Sequence, residues 1–179
     1  MVYYLKDSLM AYEIIVLTNM AIGVLFALSL NVITGFCGQV SLGHAAFMGI
    51  GAYTSALMTK AGVPFLLTFA PAMIFASIAG FIVGLASLRV RHDFLAITTM
   101  GVVFLFTGIV RKQDALGGEI GISGIPAPEF GRLGLLVTSI ICVIIFLFFI
   151  LQIKRSWVGF NFSSISQDED TSKILGINV

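Results

Sequence analysis

Leu133–Ile153 reads LGLLVTSIICVIIFLFFILQI, 21 residues without one Asp, Glu, Lys or Arg. A helix rises about 1.5 Å per residue and the hydrocarbon core of a bilayer is about 30 Å thick, so roughly 20 apolar residues span it. This stretch reads as a membrane helix, and three further charge-free runs surround it. Ile14–Thr59 holds 46 residues, Ala61–Leu88 holds 28 and Phe94–Val110 holds 17. The longest is enough for two crossings. It divides naturally at Gly35-Phe36-Cys37-Gly38, where two glycines favour a turn. Ala61–Leu88 supplies one crossing after Pro64, and Pro71 near its start is expected to kink it. Phe94–Val110 is short, at about 25 Å.

The expected architecture is all-α: a polytopic membrane helical bundle forming a single domain over 1–179. Its five segments run roughly Glu13–Thr34, Val40–Thr59, Phe65–Leu88, Phe94–Val110 and Leu133–Ile153, and 154–179 form a tail outside the membrane. The runs do not alternate as barrel strands do. The first one begins late and lacks the A-x-A-like end of a secretory signal. An odd number of crossings puts the termini on opposite sides. Lys and Arg do not choose between the two orientations. Arg89, Arg91, Lys154, Arg155 and Lys173 face one side, and Lys6, Lys60, Arg111, Lys112 and Arg132 the other.

Composition agrees. Of 179 residues, 58% are hydrophobic and 11% charged, with mean hydropathy +1.05, whereas a soluble domain carries about 25% charged residues. A water-soluble globule, a disordered chain, a nucleic-acid-binding surface and a secreted disulfide scaffold are excluded on these grounds. Cys37 and Cys142 lie in apolar runs and read as small hydrophobes, not as a metal or disulfide site. No hydrolase triad, H-E-x-x-H, nucleotide loop or Cys/His cluster is present, so an enzyme is not expected and no cofactor is called for. Any energy for transport must come from elsewhere.

The second segment differs from a lipid-facing anchor. Ala45, Gly49, Ala52 and Ala56 follow helical spacing, and small faces let membrane helices approach closely. Gln39, Ser41 and His44 at its start are polar groups at membrane depth. Two readings stand for them: helix caps and satisfied backbone partners, or residues lining a translocation path. Asn19 and Asn31 are accounted for by interhelical hydrogen bonds. The loop QDALGGEIGISGIPAPEFG (Gln113–Gly131) reads as turn-rich and extramembrane, with a re-entrant or partner-contacting piece as the alternative. In the tail, Ser166-Gln167-Asp168-Glu169 fits a capping box, with Ser166 as N-cap. This predicts a helix over Gln167–Leu175 that carries Asp168, Glu169 and Asp170 in its first turn and Gly176 as its stop. So short a helix needs something to hold it.

Leu30–Met58, LNVITGFCGQVSLGHAAFMGIGAYTSALM, closely resembles the signature of membrane permease subunits of branched-chain amino acid ATP-binding-cassette importers. The likeness runs through Asn31, Gly35, Gly38, Gln39, Ser41, Leu42, Gly43, His44, Ala45, Phe47, Gly49, Gly51, Ala52 and Tyr53. DFLAITTMG (Asp93–Gly101) resembles the start of the family's next helix, GGEIGISGIP (Gly117–Pro126) its glycine-rich loop, and SQDEDTSKILGINV (Ser166–Val179) its cytoplasmic coupling segment. The likeness is to the M-type rather than the H-type subunit.

The resemblance implies several things. The coupling segment 154–179 faces the cytoplasm and the first residues lie outside. Asp168, Glu169, Asp170, Ile174, Leu175 and Gly176 touch the ATPase. The partners are a sister permease, cytoplasmic ATPase subunits, an external or periplasmic binding protein and the lipid bilayer, with no nucleic acid. The location is the bacterial or archaeal inner membrane. Urea and short-amide importers have similar permeases and remain an alternative, as does a non-transporting membrane interaction protein. The chain departs from the family pattern at Thr171-Ser172, where Ala-Ala is common, at Phe160 and Phe162, where Arg is usual, and at Thr107-Gly108, where Gly-Glu is frequent. Family permeases continue for about 100 residues, several spans, past the coupling segment, so a truncated member is expected. Alkaline carbonate without detergent should leave the chain in the membrane pellet, and its release into the supernatant would contradict the bundle.

Overall fold

The structure, a computed structural model, describes residues 2–87, 94–167 and 172, with side chains from residue 10 onward. All regular structure among them is helical. In chain order the helices are α1 (Val2–Asn31), α2 (His44–Lys60), α3 (Phe69–Ser87), α4 (Leu95–Lys112), α5 (Gly131–Arg155) and α6 (Trp157–Gln167). A π turn over Val32–Phe36 extends α1, and 3₁₀ turns occupy Phe65–Thr68 and Asp114–Leu116.

Among the described residues four helical stretches are long and apolar enough to cross a membrane: Met10–Phe36, Phe65–Ser87, Leu95–Lys112 and Gly131–Arg155. Helix α2, with 17 residues, is about 25 Å long. The expected second segment is therefore helical but shorter than drawn. It begins at His44 rather than Val40, because the Leu42 N–H donates to Thr99 Oγ1 at 3.0 Å instead of joining a helical ladder. A kink at Pro71 is not required by its position. Pro71 sits in the first turn of α3, where a missing N–H breaks no helical bond.

Burial is distributed as lipid solvation requires. Among the described residues the buried apolar side chains are Ala46, Val110 and Ile150, while Phe81 is 68% exposed and Phe148 64%. Hydroxyls inside the long helices bond to their own backbones. Thr18 Oγ1 donates to the Ile14 carbonyl at 2.7 Å, Thr138 Oγ1 to Gly134 at 2.7 Å and Ser139 Oγ to Leu136 at 2.8 Å. In hydrocarbon no water offers an alternative partner.

The described chain forms two compact units, Val40–Glu129 and, as the other, Met1–Gln39 with Phe130–Val179. In the latter, α1 packs along α5, and α6 packs against the end of α5 and the π turn. Gly38 is left-handed at φ +68°, and a Cβ there would come within 2.9 Å of Ser166 Cβ, so the break between the first two segments falls where the glycines place it. Helix α6 was not anticipated. Ser166 lies inside it, donating to the Ser163 carbonyl at 2.9 Å, and so is not the N-cap of a helix starting at Gln167. Of the remainder of that predicted helix, the described residues include Ser172 alone, which is helical and buried.

In the unit Val40–Glu129, α2 packs against α3 and α4. A Cβ at Gly43 would stand 2.8 Å from the Thr99 carbonyl oxygen, whereas one at Gly84 meets nothing within 4 Å. Gly43→Ala should therefore cost about 1–3 kcal/mol through overpacking. Gly84→Ala should be neutral or stabilise by up to about 1 kcal/mol. Thermal unfolding of the two variants in detergent compares them directly.

Candidate functional site

The residues singled out around the second segment sit on the connection into α2 and on α2 itself. Thr99, 5% exposed on α4, organises the connection. Its hydroxyl accepts from the Leu42 N–H and donates to the Ala96 carbonyl, both at 3.0 Å, while Gly43 lies flat against its backbone. One turn and more along α2, Gly49 meets the ring of Phe106, and Tyr53 packs edge-to-face on that ring with centroids 5.9 Å apart at 83°. On the α3 side, Thr68 is fully buried and donates to the Phe65 carbonyl at 2.7 Å. That uses its one proton, so Ser55 Oγ donates to Thr68 Oγ1 at 2.7 Å.

The small-residue set divides. Gly49 faces Phe106, Ala56 is half-buried, and Ala45 and Ala52 are exposed, with Met48 on the same face between them. Leu42, Gly43, Gly49 and Tyr53 each touch α4. Thr99 and Tyr53 were missed as organisers. The signal available for Thr99 was a hydroxyl within an otherwise apolar run.

The polar residues at the segment start are placed ahead of the helix or on its first turn. Gln39 is exposed, and its N–H donates to the Ile33 carbonyl at 3.3 Å. Ser41 is half-buried and does not cap α2, whose N-cap is Gly43 without a side-chain bond. His44, half-buried, stands edge-on to Phe47 at 6.4 Å. Gln39 belongs to one unit, and Ser41 and His44 to the other. Asp168, Glu169, Asp170, Ile174, Leu175 and Gly176 lie outside the described residues. Ser172, beside them, is 2% exposed.

The glycine-rich loop folds on itself. After the 3₁₀ turn, Gly117 is left-handed at φ +86°, and a Cβ there would strike the Gly121 carbonyl. The Gly118 N–H donates to Gln113 O at 3.3 Å and the Gly121 N–H to Gly117 O at 3.1 Å. Ile120 is left 93% exposed at the tip. Between the loop and the end of α2 lies a cavity of about 230 Å³, flanked by Lys60 and Asp114. Cys37, in the connection after the π turn, has its thiol pushed up by burial, so it stays protonated at neutral pH.

The hydroxyl of Thr99 is the most economical point of attack. Thr99→Val should leave the Leu42 N–H without its acceptor and cost about 1–3 kcal/mol, whereas Thr99→Ser should keep the bond and cost less. Thermal unfolding, together with faster amide exchange at Leu42 in the valine variant alone, reads this out.

No solved structure matches the chain. Two relatives match by sequence, each named high-affinity branched-chain amino acid transport system permease protein LivM. The one from Escherichia coli K12 is 31% identical over 190 residues, covering 87% of this chain and 44% of its own length. The one from Salmonella typhimurium LT2 is 31% identical over 196 residues, covering 90% and 45%. The chain thus spans about half the length of these relatives. The family described as branched-chain amino acid transport system / permease component matches residues 13–179. The charge-free helices, the small-residue contacts of α2 and this match over nearly the whole chain lead to one statement: the chain belongs to the branched-chain amino acid transport permease family.

Proposed function

We propose that the chain acts as a permease subunit of an ATP-driven importer for branched-chain amino acids, in the plasma membrane of its cell. It would form part of the translocation path and couple to separate ATPase subunits. The family match over residues 13–179 carries this reading, and the helical bundle supports it. In this reading α2 is a short fifth crossing beside the four membrane-length stretches. Ala45 and Ala52, exposed on the face of α2 that meets neither α3 nor α4, are suited to receive another helix at close approach. A sister permease is the partner proposed for that face.

Transport itself needs no catalytic group on this chain. ATPase closure would push on the segment Asp168–Gly176, and rigid helices would carry the displacement to the path. In this scheme Asp168, Glu169 and Asp170 supply charge at the contact, Ile174 and Leu175 supply its apolar surface, and Gly176 ends the segment. Gln39, Ser41 and His44 are proposed for the path, where polar groups exchange a substrate's hydration for protein contacts. An external binding protein would deliver the substrate and set much of the specificity, so urea or a short amide is the alternative cargo.

Two apolar side chains at the ATPase contact contribute about 3 kcal/mol or more together. The double substitution Ile174→Asp with Leu175→Asp should therefore weaken copurification with the ATPase subunits by roughly a hundredfold and abolish leucine uptake in cells lacking the intact permease. Unchanged assembly and uptake in that variant would remove the coupling role. Competition by urea but not by leucine would reassign the cargo.

A further inference from the structure

Helix α5 ends at Arg155 and α6 begins at Trp157, so the chain turns a corner on one residue. Ser156 builds that corner. Its backbone is extended at φ −88° and ψ 166°. Its Oγ donates to the Ile153 carbonyl at 2.7 Å and accepts from the Gly159 N–H at 3.4 Å, the N-cap arrangement. Gly159 is buried, and a Cβ there would strike the Ile153 carbonyl and come within 2.9 Å of Lys154 Cα. Only glycine lets the first turn of α6 fold so tightly onto the end of α5.

The consequence is a fixed display of side chains at the end of a membrane-length apolar helix. Trp157 is 74% exposed and Phe160 59% exposed, and their rings lie against each other with centroids 5.8 Å apart at 30°. Lys154 and Arg155, both exposed, close the last turn of α5 directly beside them. Bare aromatic rings of this size are unfavourable in water. Tryptophan settles at the boundary between hydrocarbon and headgroups, and Lys and Arg near helix ends extend their charged heads to the same level. Anionic headgroups complete such a set, because juxtamembrane cations are attracted to them.

We propose that the α5–α6 corner is a binding site for anionic phospholipid headgroups. Lys154 and Arg155 hold the lipid phosphate, and the Trp157–Phe160 pair lies on the upper acyl chain. Continuity with the α5 span and charge complementarity select lipid as the occupant, and the site is independent of what the permease transports.

Trp157 is the sole tryptophan of the chain, so its fluorescence reports this corner alone. The unmodified chain is reconstituted into phosphatidylcholine vesicles with and without phosphatidylglycerol, using lipids brominated at shallow or deep acyl positions. Trp157 emission should be blue-shifted and quenched most by the shallow bromines. Quenching by brominated phosphatidylglycerol, mixed into ordinary phosphatidylcholine, should exceed that by brominated phosphatidylcholine. Lys154→Gln and Arg155→Gln should each lower the preference for the anionic lipid by roughly fivefold, with helicity by circular dichroism unchanged. Emission typical of an indole in water, quenched by aqueous iodide and not by bromolipid, would overturn the proposal and leave the rings to a protein partner. Equal quenching by the two brominated lipids would overturn the headgroup site itself.

Discussion

Hydrocarbon offers no hydrogen-bond partner to a peptide group, and the rest of this structure follows from that. Each N–H and C=O at membrane depth must find its partner within the chain, which leaves helices as the form for the charge-free runs. The difficulty moves to the helix ends, where up to four donors or acceptors lose their intrahelical partners. Here those ends are dealt with by particular side chains. Thr99 takes the Leu42 N–H ahead of α2. Ser156 takes the Gly159 N–H at the start of α6. Pro71 opens α3 with one donor fewer to satisfy.

A second consequence concerns how the helices hold together. Lipid tails are as apolar as Leu or Phe, so burying such side chains between helices adds little, and they remain outside, as Phe81, Phe104 and Phe148 do. Close approach and hydrogen bonding must do more. Gly43 against Thr99, Gly49 against Phe106 and the Ser55–Thr68 hydroxyl pair show both means on α2 and its N-cap. This explains why that helix is rich in small residues and why its contacts follow Gly43, Gly49 and Tyr53. Spacing alone groups Ala45, Gly49, Ala52 and Ala56 on one face, but it does not say which neighbour that face meets.

What could be read from sequence sorts by the same physics. Uninterrupted apolar length is a one-dimensional property, so α5, α4 and the ends of α1 and α3 lie within a few residues of their expected bounds. The break near Gly35–Gly38 was legible because glycine tolerates a positive φ, and Gly38 adopts one. The start of α2 was not legible. It depends on Thr99, 57 residues away from Leu42 in the chain. Helix α6 was hidden for a related reason: its start depends on Ser156 and on Gly159 fitting against Ile153, while Ser166-Gln167-Asp168-Glu169 offered a more recognisable cap farther along. The connection and α2 were singled out in the sequence by their polar and small residues. Thr99, whose hydroxyl resembles those of the many threonines that simply bond to their own helix, was not.

The corner at Ser156 separates two kinds of constraint that are easily conflated. Its geometry is set at the level of the backbone, since Ser156 caps the new helix and Gly159 leaves room for the Ile153 carbonyl. Any residue tolerant of a helical turn can occupy position 160 without disturbing either contact, because that side chain is largely exposed. The resemblance implies Arg there, where this chain has Phe. The substitution therefore changes what the corner presents and leaves its shape alone. A guanidinium would extend into water or pair with an acid. In our proposal the phenyl ring beside Trp157 settles at an apolar boundary, and the two cations before it select one with anionic headgroups. The backbone thus sets the shape of the corner, and residue 160 sets what that shape presents.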